Sequence, residues 1–209
     1  MRVISHRGWW LNPAEKNTRL AFERSFAAGF ATETDIRDDG RGGLVISHDP
    51  PTGGEMTLGA LLELASAYAL NGPMALNIKA DGLASAVAQE LARYPQLEAF
   101  VFDMSVPDTP AYFAVGVDVF ARRSEVEPVT VWPELVRGVW LDAFEEERYT
   151  TFDLEALLAD GPVCVVSSEL HGRDPKPLWT LLRPLVRSEG LILCTDLPDE
   201  AARALEVQA

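Results

Sequence analysis

Cysteine, histidine and positive charge are all scarce in this 209-residue chain, and each shortage excludes something. Its two cysteines, Cys164 and Cys194, lie far apart without the close spacing of metal-binding pairs, so neither a zinc site nor a disulfide scaffold is indicated. Eighteen Lys and Arg stand against 32 Asp and Glu, a formal charge of −14. That balance argues against nucleic acid or an anionic membrane as a general partner, because the far field repels phosphate. No apolar run approaches the ~20 residues of a membrane span, so stable insertion is not expected. His6, Arg7, Trp9 and Trp10 stand where a secretory leader would need an apolar stretch, and a soluble, cytoplasmic protein is the expectation. There is no internal repeat, low-complexity tract or linker-like shift in composition, so residues 1–209 are expected to form one domain. With 47% hydrophobic and 24% charged residues the chain is ordinary globular material. A chain this long buries roughly 70% of its unfolded surface without staples.

What recurs is a short apolar run ending in polar residues. Eight such runs, at 2–6, 31–37, 74–79, 100–103, 117–122, 138–142, 163–167 and 191–196, are β-branched or aromatic and bounded by Gly or Pro, which reads as buried strands. A ninth, 44–48, follows the turn-like Asp38–Gly43 segment and reads as a hairpin partner of the second run. Helical patterns lie between them: one capped at Asn17-Thr18 and stopped by Gly29, one starting at Thr57, then 84–91, 154–158, 177–186 and 198–205. The connections after Asp103 and Arg123 leave room for only a turn or two of helix each. About eight strands alternating with helices predicts a compact α/β fold, a (β/α)8 TIM barrel with a small extra hairpin strand after strand 2. An open flavodoxin-like sheet would need only about five strands.

Barrels of this kind place reacting groups at the carboxyl ends of the strands and in the loops that follow. Alternation along a strand sets Glu33, Asp35 and Arg37 on one face, and Asn77 with Lys79 on one face of the next barrel strand. Burying Glu33 beside Asp35 is costly unless something neutralises the pair. A hard divalent cation (Mg²⁺, Ca²⁺ or Mn²⁺) held by carboxylate oxygens and water would do so. An ion-pair ladder to Arg37 and Lys79 would serve as well. His6 and His48 both end apolar runs and bracket the carboxylates, and two imidazoles can act as base and acid in one turnover. Arg7 and Lys79 add the permanent positive charge that a phosphate oxygen needs.

The ordered set His6-Arg7-Gly8, Glu15-Lys16-Asn17-Thr18, Gly29, Glu33-Thr34-Asp35 and His48-Asp49 resembles the glycerophosphodiester phosphodiesterase family. The match is dense over the first fifty residues; beyond them only Asn77-Ile78-Lys79 and Thr195-Asp196-Leu197-Pro198 are similar. The resemblance implies metal-assisted cleavage of a small phosphodiester. It makes Glu33 and Asp35 metal ligands, His6 and His48 the acid–base pair, and Arg7 and Lys79 phosphate contacts. Two departures stand out. Lys16 interrupts the usual Glu-Asn-Thr and puts the role of Glu15 in question. Asn77 occupies the place of a glutamate ligand, which leaves a neutral amide oxygen with Asp103 or Asp81 as a substitute carboxylate.

Arg122 after the fifth strand and Arg173 after the seventh are further candidates for a substrate contact, as is His171; salt bridges at the surface are the plain alternative. Asp49, next to His48, joins Glu15 and Asp103 as an additional site candidate. Two rival readings stay open: a non-catalytic barrel that binds a phosphorylated metabolite, which Asn77 favours, and a phospholipase D-like lyase that forms a cyclic phosphate. No pattern in the sequence specifies an oligomeric state.

Overall fold

A computed structural model describes residues 1–208. Eight parallel strands form a nearly closed barrel: β1 (Arg2–His6), β2 (Ala31–Asp38), β4 (Met74–Ile78), β5 (Ala99–Phe102), β6 (Phe120–Arg123), β7 (Gly138–Leu141), β8 (Val163–Val166) and β9 (Leu191–Thr195). Their order around the sheet is β5-β4-β2-β1-β9-β8-β7-β6, and a single parallel bridge, Val101 to Val119, meets across the remaining gap. The ninth strand, β3 (Leu44–Ile46), pairs antiparallel with β2, as the sequence led us to expect.

Seven α-helices accompany the strands: α1 (Arg19–Ala27), α2 (Leu58–Ser66), α3 (Ala84–Leu91), α4 (Thr109–Ala114), α5 (Thr151–Asp160), α6 (Lys176–Leu182) and α7 (Pro198–Leu205). Local chemistry fixes several ends. Thr18 Oγ1 accepts from the Ala21 amide at the start of α1, and Thr57 Oγ1 accepts from Ala60 at the start of α2. Thr150 and Asp153 form a reciprocal capping box on α5. One expectation fails. No helix forms between β6 and β7, where Pro128 and Pro133 interrupt a segment of exposed valines that offers no continuous helical face. No helix among the described residues is long and apolar enough to cross a membrane.

Two apolar layers hold the barrel. Val3, Val163, Val165, Leu191 and Leu193 pack outward on the α5–α7 side. The interior is lopsided. On the β5–β7 side it is filled by rings: Phe100 stacks on Phe120 with centroids 3.7 Å apart, and Phe102 on Trp140 at 3.8 Å. On the β1–β2–β4 side the inward positions nearest the carboxyl end are His6, Glu33, Asp35 and Asn77 instead. This polar half of the barrel mouth is where chemistry can sit.

Candidate active site

Register brings the polar groups together. His6 lies beside Glu33 across β1 and β2, and Asp35 lies beside Asn77 across β2 and β4. Glu33 and Asp35 are two residues apart on one strand, so all three oxygen-bearing side chains share the barrel's inner face. β3 continues the line of β1 along the same edge of β2, with the Ser47 amide donating to the Asp35 carbonyl. The end of β1 and the end of β3 therefore meet at the Glu33–Asp35 segment, which places the backbones of His6 and His48 along the same edge of β2 beside it.

A tight turn shapes the floor. Arg7 and Gly8 both adopt positive φ, 58° and 82°, and fold Arg7 back over the mouth. Gly8 cannot be larger: a Cβ there would meet Ala21 Cβ at 2.7 Å. Asn17, also left-handed, ties the parts together. Its amide N–H donates to the Arg7 carbonyl at 3.0 Å, its side chain donates to Asp35 Oδ2 at 2.8 Å, and its Oδ1 accepts from Thr34. Non-glycine residues in such conformations concentrate at functional sites, and Asp103 is another of them.

The charges are dense. Asp35 is buried, with Arg7 Nε 2.8 Å from one oxygen and Lys79 Nζ 3.4 Å from the other. His6 Nε2 lies 3.7 Å from Glu33 Oε2, and His6 Nδ1 lies 2.7 Å from Asp196 Oδ1. An ionised carboxylate only accepts, so Asp196 places the proton on Nδ1 and leaves Nε2 facing the Glu33 side. Asp196 is itself anchored: Trp10 Nε1 donates to it at 3.2 Å, Glu169 accepts from its amide, and Lys16 Nζ lies 3.6 Å away. Burial opposes its ionisation, but the His6 hydrogen bond and charge, with Lys16 and Trp10, outweigh that and hold its carboxyl below the usual range. Glu33 goes the other way. Burial raises it to about 7, against attraction from His6 and with repulsion from Asp35.

Three buried oxygens in this cluster accept no hydrogen bond: Glu33 Oε2, Asp35 Oδ1 and Asn77 Oδ1. Unpartnered buried acceptors cost about 1–3 kcal/mol each. They belong to the three residues singled out as metal ligands, and an all-oxygen donor set suits a hard cation. The residues present therefore fit Mg²⁺, Ca²⁺ or Mn²⁺, with two carboxylates and one amide where three carboxylates would bind more tightly. Among the described residues no group of three His, Cys, Asp or Glu side chains converges as a metal site, and Lys79 Nζ lies 3.4 Å from Asp35 Oδ1.

The remaining candidates are placed differently. His48 is half-exposed, its Nδ1 3.0 Å from Asp49 of the same loop, and among the described residues no hydrogen bond or ion pair joins its imidazole to the buried cluster. Asp49 is at the surface. Glu15 is drawn off the site by Arg24 and the Leu11 amide, and fixes the turn before α1. Asp103 pairs with Arg122 at 2.8 Å, and burial raises its carboxyl despite that guanidinium and Lys79. Arg122 is also bound by Glu127. Arg173, expected to touch substrate, instead braces the loop after β7 by donating to the Ala143 and Phe144 carbonyls and to Glu147. His171 Nε2 pairs with Asp142 at 2.7 Å. Arg37 does not join the ladder to the carboxylates; its Nε donates to the His48 carbonyl. The role of Asp196 is the one that sequence reading passed over. The signal was an acidic residue ending the last strand, which barrel closure must set beside the first.

No family model matches the chain, and no curated protein matches it. Solved structures do. A phosphodiesterase from Oleispira antarctica, in complex with the product sn-glycerol-3-phosphate, is 17% identical with a TM-score of 0.73, over 99% of this chain and 97% of the other. A glycerophosphodiester phosphodiesterase from Parabacteroides distasonis is 19% identical with a TM-score of 0.68, over 98% and 96%. A dihydropteroate synthase from Anaplasma phagocytophilum also superposes, at 11% identity and TM-score 0.57, over 98% and 97%. The shared fold is thus the (β/α)8 barrel, and this barrel also carries unrelated chemistry.

Proposed function

We propose that the chain is a phosphoric diester hydrolase acting on a small glycerophosphodiester or related phosphodiester, at the mouth built by His6, Glu33, Asp35, Asn77 and Lys79. The observation that carries the reading is the trio of buried oxygens on Glu33, Asp35 and Asn77 that accept no hydrogen bond, set beside an aspartate-held histidine and two cations. The family likeness of the fold neighbours and the His-Arg-Gly and Glu-Thr-Asp motifs supports it.

Each group has a task that its surroundings make possible. Arg7 and Lys79 offer N–H donors and charge to the non-bridging phosphate oxygens, exchanging part of their hold on Asp35 for the substrate. His6, with its tautomer set by Asp196, has Nε2 free to take a proton from an attacking hydroxyl or to give one to the leaving oxygen. His48, on the same edge of β2 as His6, is the partner for the opposite transfer, and its loop must turn the imidazole inward from Asp49. A divalent cation held by Glu33, Asp35 and Asn77 would stabilise charge on the phosphoryl oxygens. Arg7, Lys79 and a bound cation would together have to outweigh the neighbouring carboxylates and the −14 of the whole chain for an anionic substrate to be drawn to the mouth.

The test is hydrolysis of glycerophosphodiesters and of bis(p-nitrophenyl) phosphate, with added divalent metal and with EDTA, by wild type, His6→Ala and Glu33→Ala. Activity confined to the metal-supplied wild type supports the reading; equal turnover in every condition ends it. One observation favours a second reading: the Asp35 charge is already met by the Arg7 and Lys79 cations without any metal, as in a barrel that only binds phosphate. Calorimetry separates the two, since that barrel would take up phosphate and show no divalent binding. Cyclic phosphate among the products would assign the lyase variant.

A further inference from the structure

Barrels of this kind cover each strand with the helix that follows it, and the strand β6 lacks its helix. Residues 124–137 return to β7 as irregular chain, and a cavity of about 270 Å³ opens between them, β6 and α4. Its walls are Met104, Val119, Ala121, Val129, Trp132 and Val136, with Asp103 and Arg122 at one end. Val106 and Val129 on its rim are 54% and 75% exposed, apolar surface that the fold leaves without a partner.

This cavity adjoins the candidate active site. Asp103, which lines it, follows β5 directly, as Lys79 follows the neighbouring β4, and the Lys79 ammonium is near enough to favour ionisation of the Asp103 carboxyl. A phosphoryl group held by Arg7 and Lys79 would have one ester arm on the Asp103 side of the mouth, where the cavity opens. The charges there, Asp103 and Glu127 against Arg122, sum to a negative value and disfavour a second phosphate. Most of the lining is apolar, and its polar groups are already engaged: Asp103 and Glu127 with Arg122, and Thr109 with the Ser105 carbonyl, so a glycerol arm would compete for them.

We infer that the cavity behind β6 takes an uncharged, apolar ester arm, a linear alkyl chain, and that the preferred substrate is an amphiphilic phosphodiester. The inference rests on the phosphodiesterase reading of the mouth and adds the substrate class. At about 30 Å³ per water-sized unit, the cavity accommodates a chain of roughly eight carbons.

The experiment is calorimetric titration of the whole protein with n-alkyl phosphates from methyl to dodecyl, each below its micelle concentration. Affinity should rise by up to about fourfold per methylene and then level off near eight carbons. Ala121→Phe, which fills the cavity, should abolish the gain while methyl phosphate binds as before. Val129→Asp, on the exposed rim where folding is not at stake, should reduce it several-fold. Affinity independent of chain length, or a gain that survives both substitutions, overturns the inference. Failure of a different kind is separately visible: if methyl phosphate does not bind, or binds Arg7→Ala equally well, the phosphate site itself is wrong, and this inference falls with it.

Discussion

Glu33 offers the sharpest quantitative test, because its carboxyl is raised from an ordinary 4.5 to about 7 by burial. In the unfolded chain it titrates near its ordinary value, so the folded state holds the proton more tightly. The sign follows: the stabilising contribution is complete below pH 4.5 and disappears as the pH climbs through 7. A shift of that size corresponds to about 3 kcal/mol at 1.36 kcal/mol per unit. For a chain of this length about 3 kcal/mol moves Tm by on the order of 6–12 °C. In EDTA, calorimetric melting of wild type should therefore show Tm falling from pH 5 to pH 8. Glu33→Gln keeps the shape and the hydrogen-bonding atoms but removes the titration, and should flatten that profile. Asp196, held below its ordinary 3.8, loses its contribution only on the acid side of this window and does not interfere. Divalent cation added at pH 8 should restore the wild-type Tm and leave the variant nearly unmoved. An unchanged slope in Glu33→Gln would refute the account of a buried, proton-holding carboxyl.

Three further outcomes follow from the same geometry. Asn77→Glu places a third carboxylate directly across from Asp35; it should lower Tm in EDTA and tighten divalent binding by at least tenfold by calorimetry, and the opposite pair of results would show that position 77 does not face the cation. Asp196→Asn should reduce kcat on the order of 10²-fold with little change in KM, because the His6 tautomer is no longer enforced; parallel loss of both would point to a collapsed loop instead. Gly8→Ala forces a Cβ against Ala21 in a left-handed turn and should destabilise by about 1–3 kcal/mol, measured as a lowered urea midpoint at constant slope.

The neighbourhood of the mouth was legible in the sequence because strand residues alternate. Glu33 and Asp35 had to share a face, as did Asn77 and Lys79, whatever the fold. The helix ends were equally local, with Thr18, Thr57 and Thr150 capping from their own segments. Arg122, Arg173 and Glu15 were harder to place: an arginine or glutamate at a strand end looks the same in sequence whether it faces substrate or a partner such as Asp103, Glu147 or Arg24.

By itself, then, the sequence determined the alternation of strands and helices, the acidic pair with its bracketing histidines, and the excess of negative charge that a phosphate site must overcome. Only the tertiary structure decided which of these groups come into contact. Closure of the barrel sets Asp196 beside His6, although 190 residues separate them, and the β2–β3 register brings the His48 loop to the edge of β2 that His6 also occupies. The missing helix after β6, and the apolar cavity it leaves, arise from packing around the whole ring. The physical reason is one of range: alternation and capping act over two to four residues, whereas pairing across a closed sheet depends on every strand in the circuit.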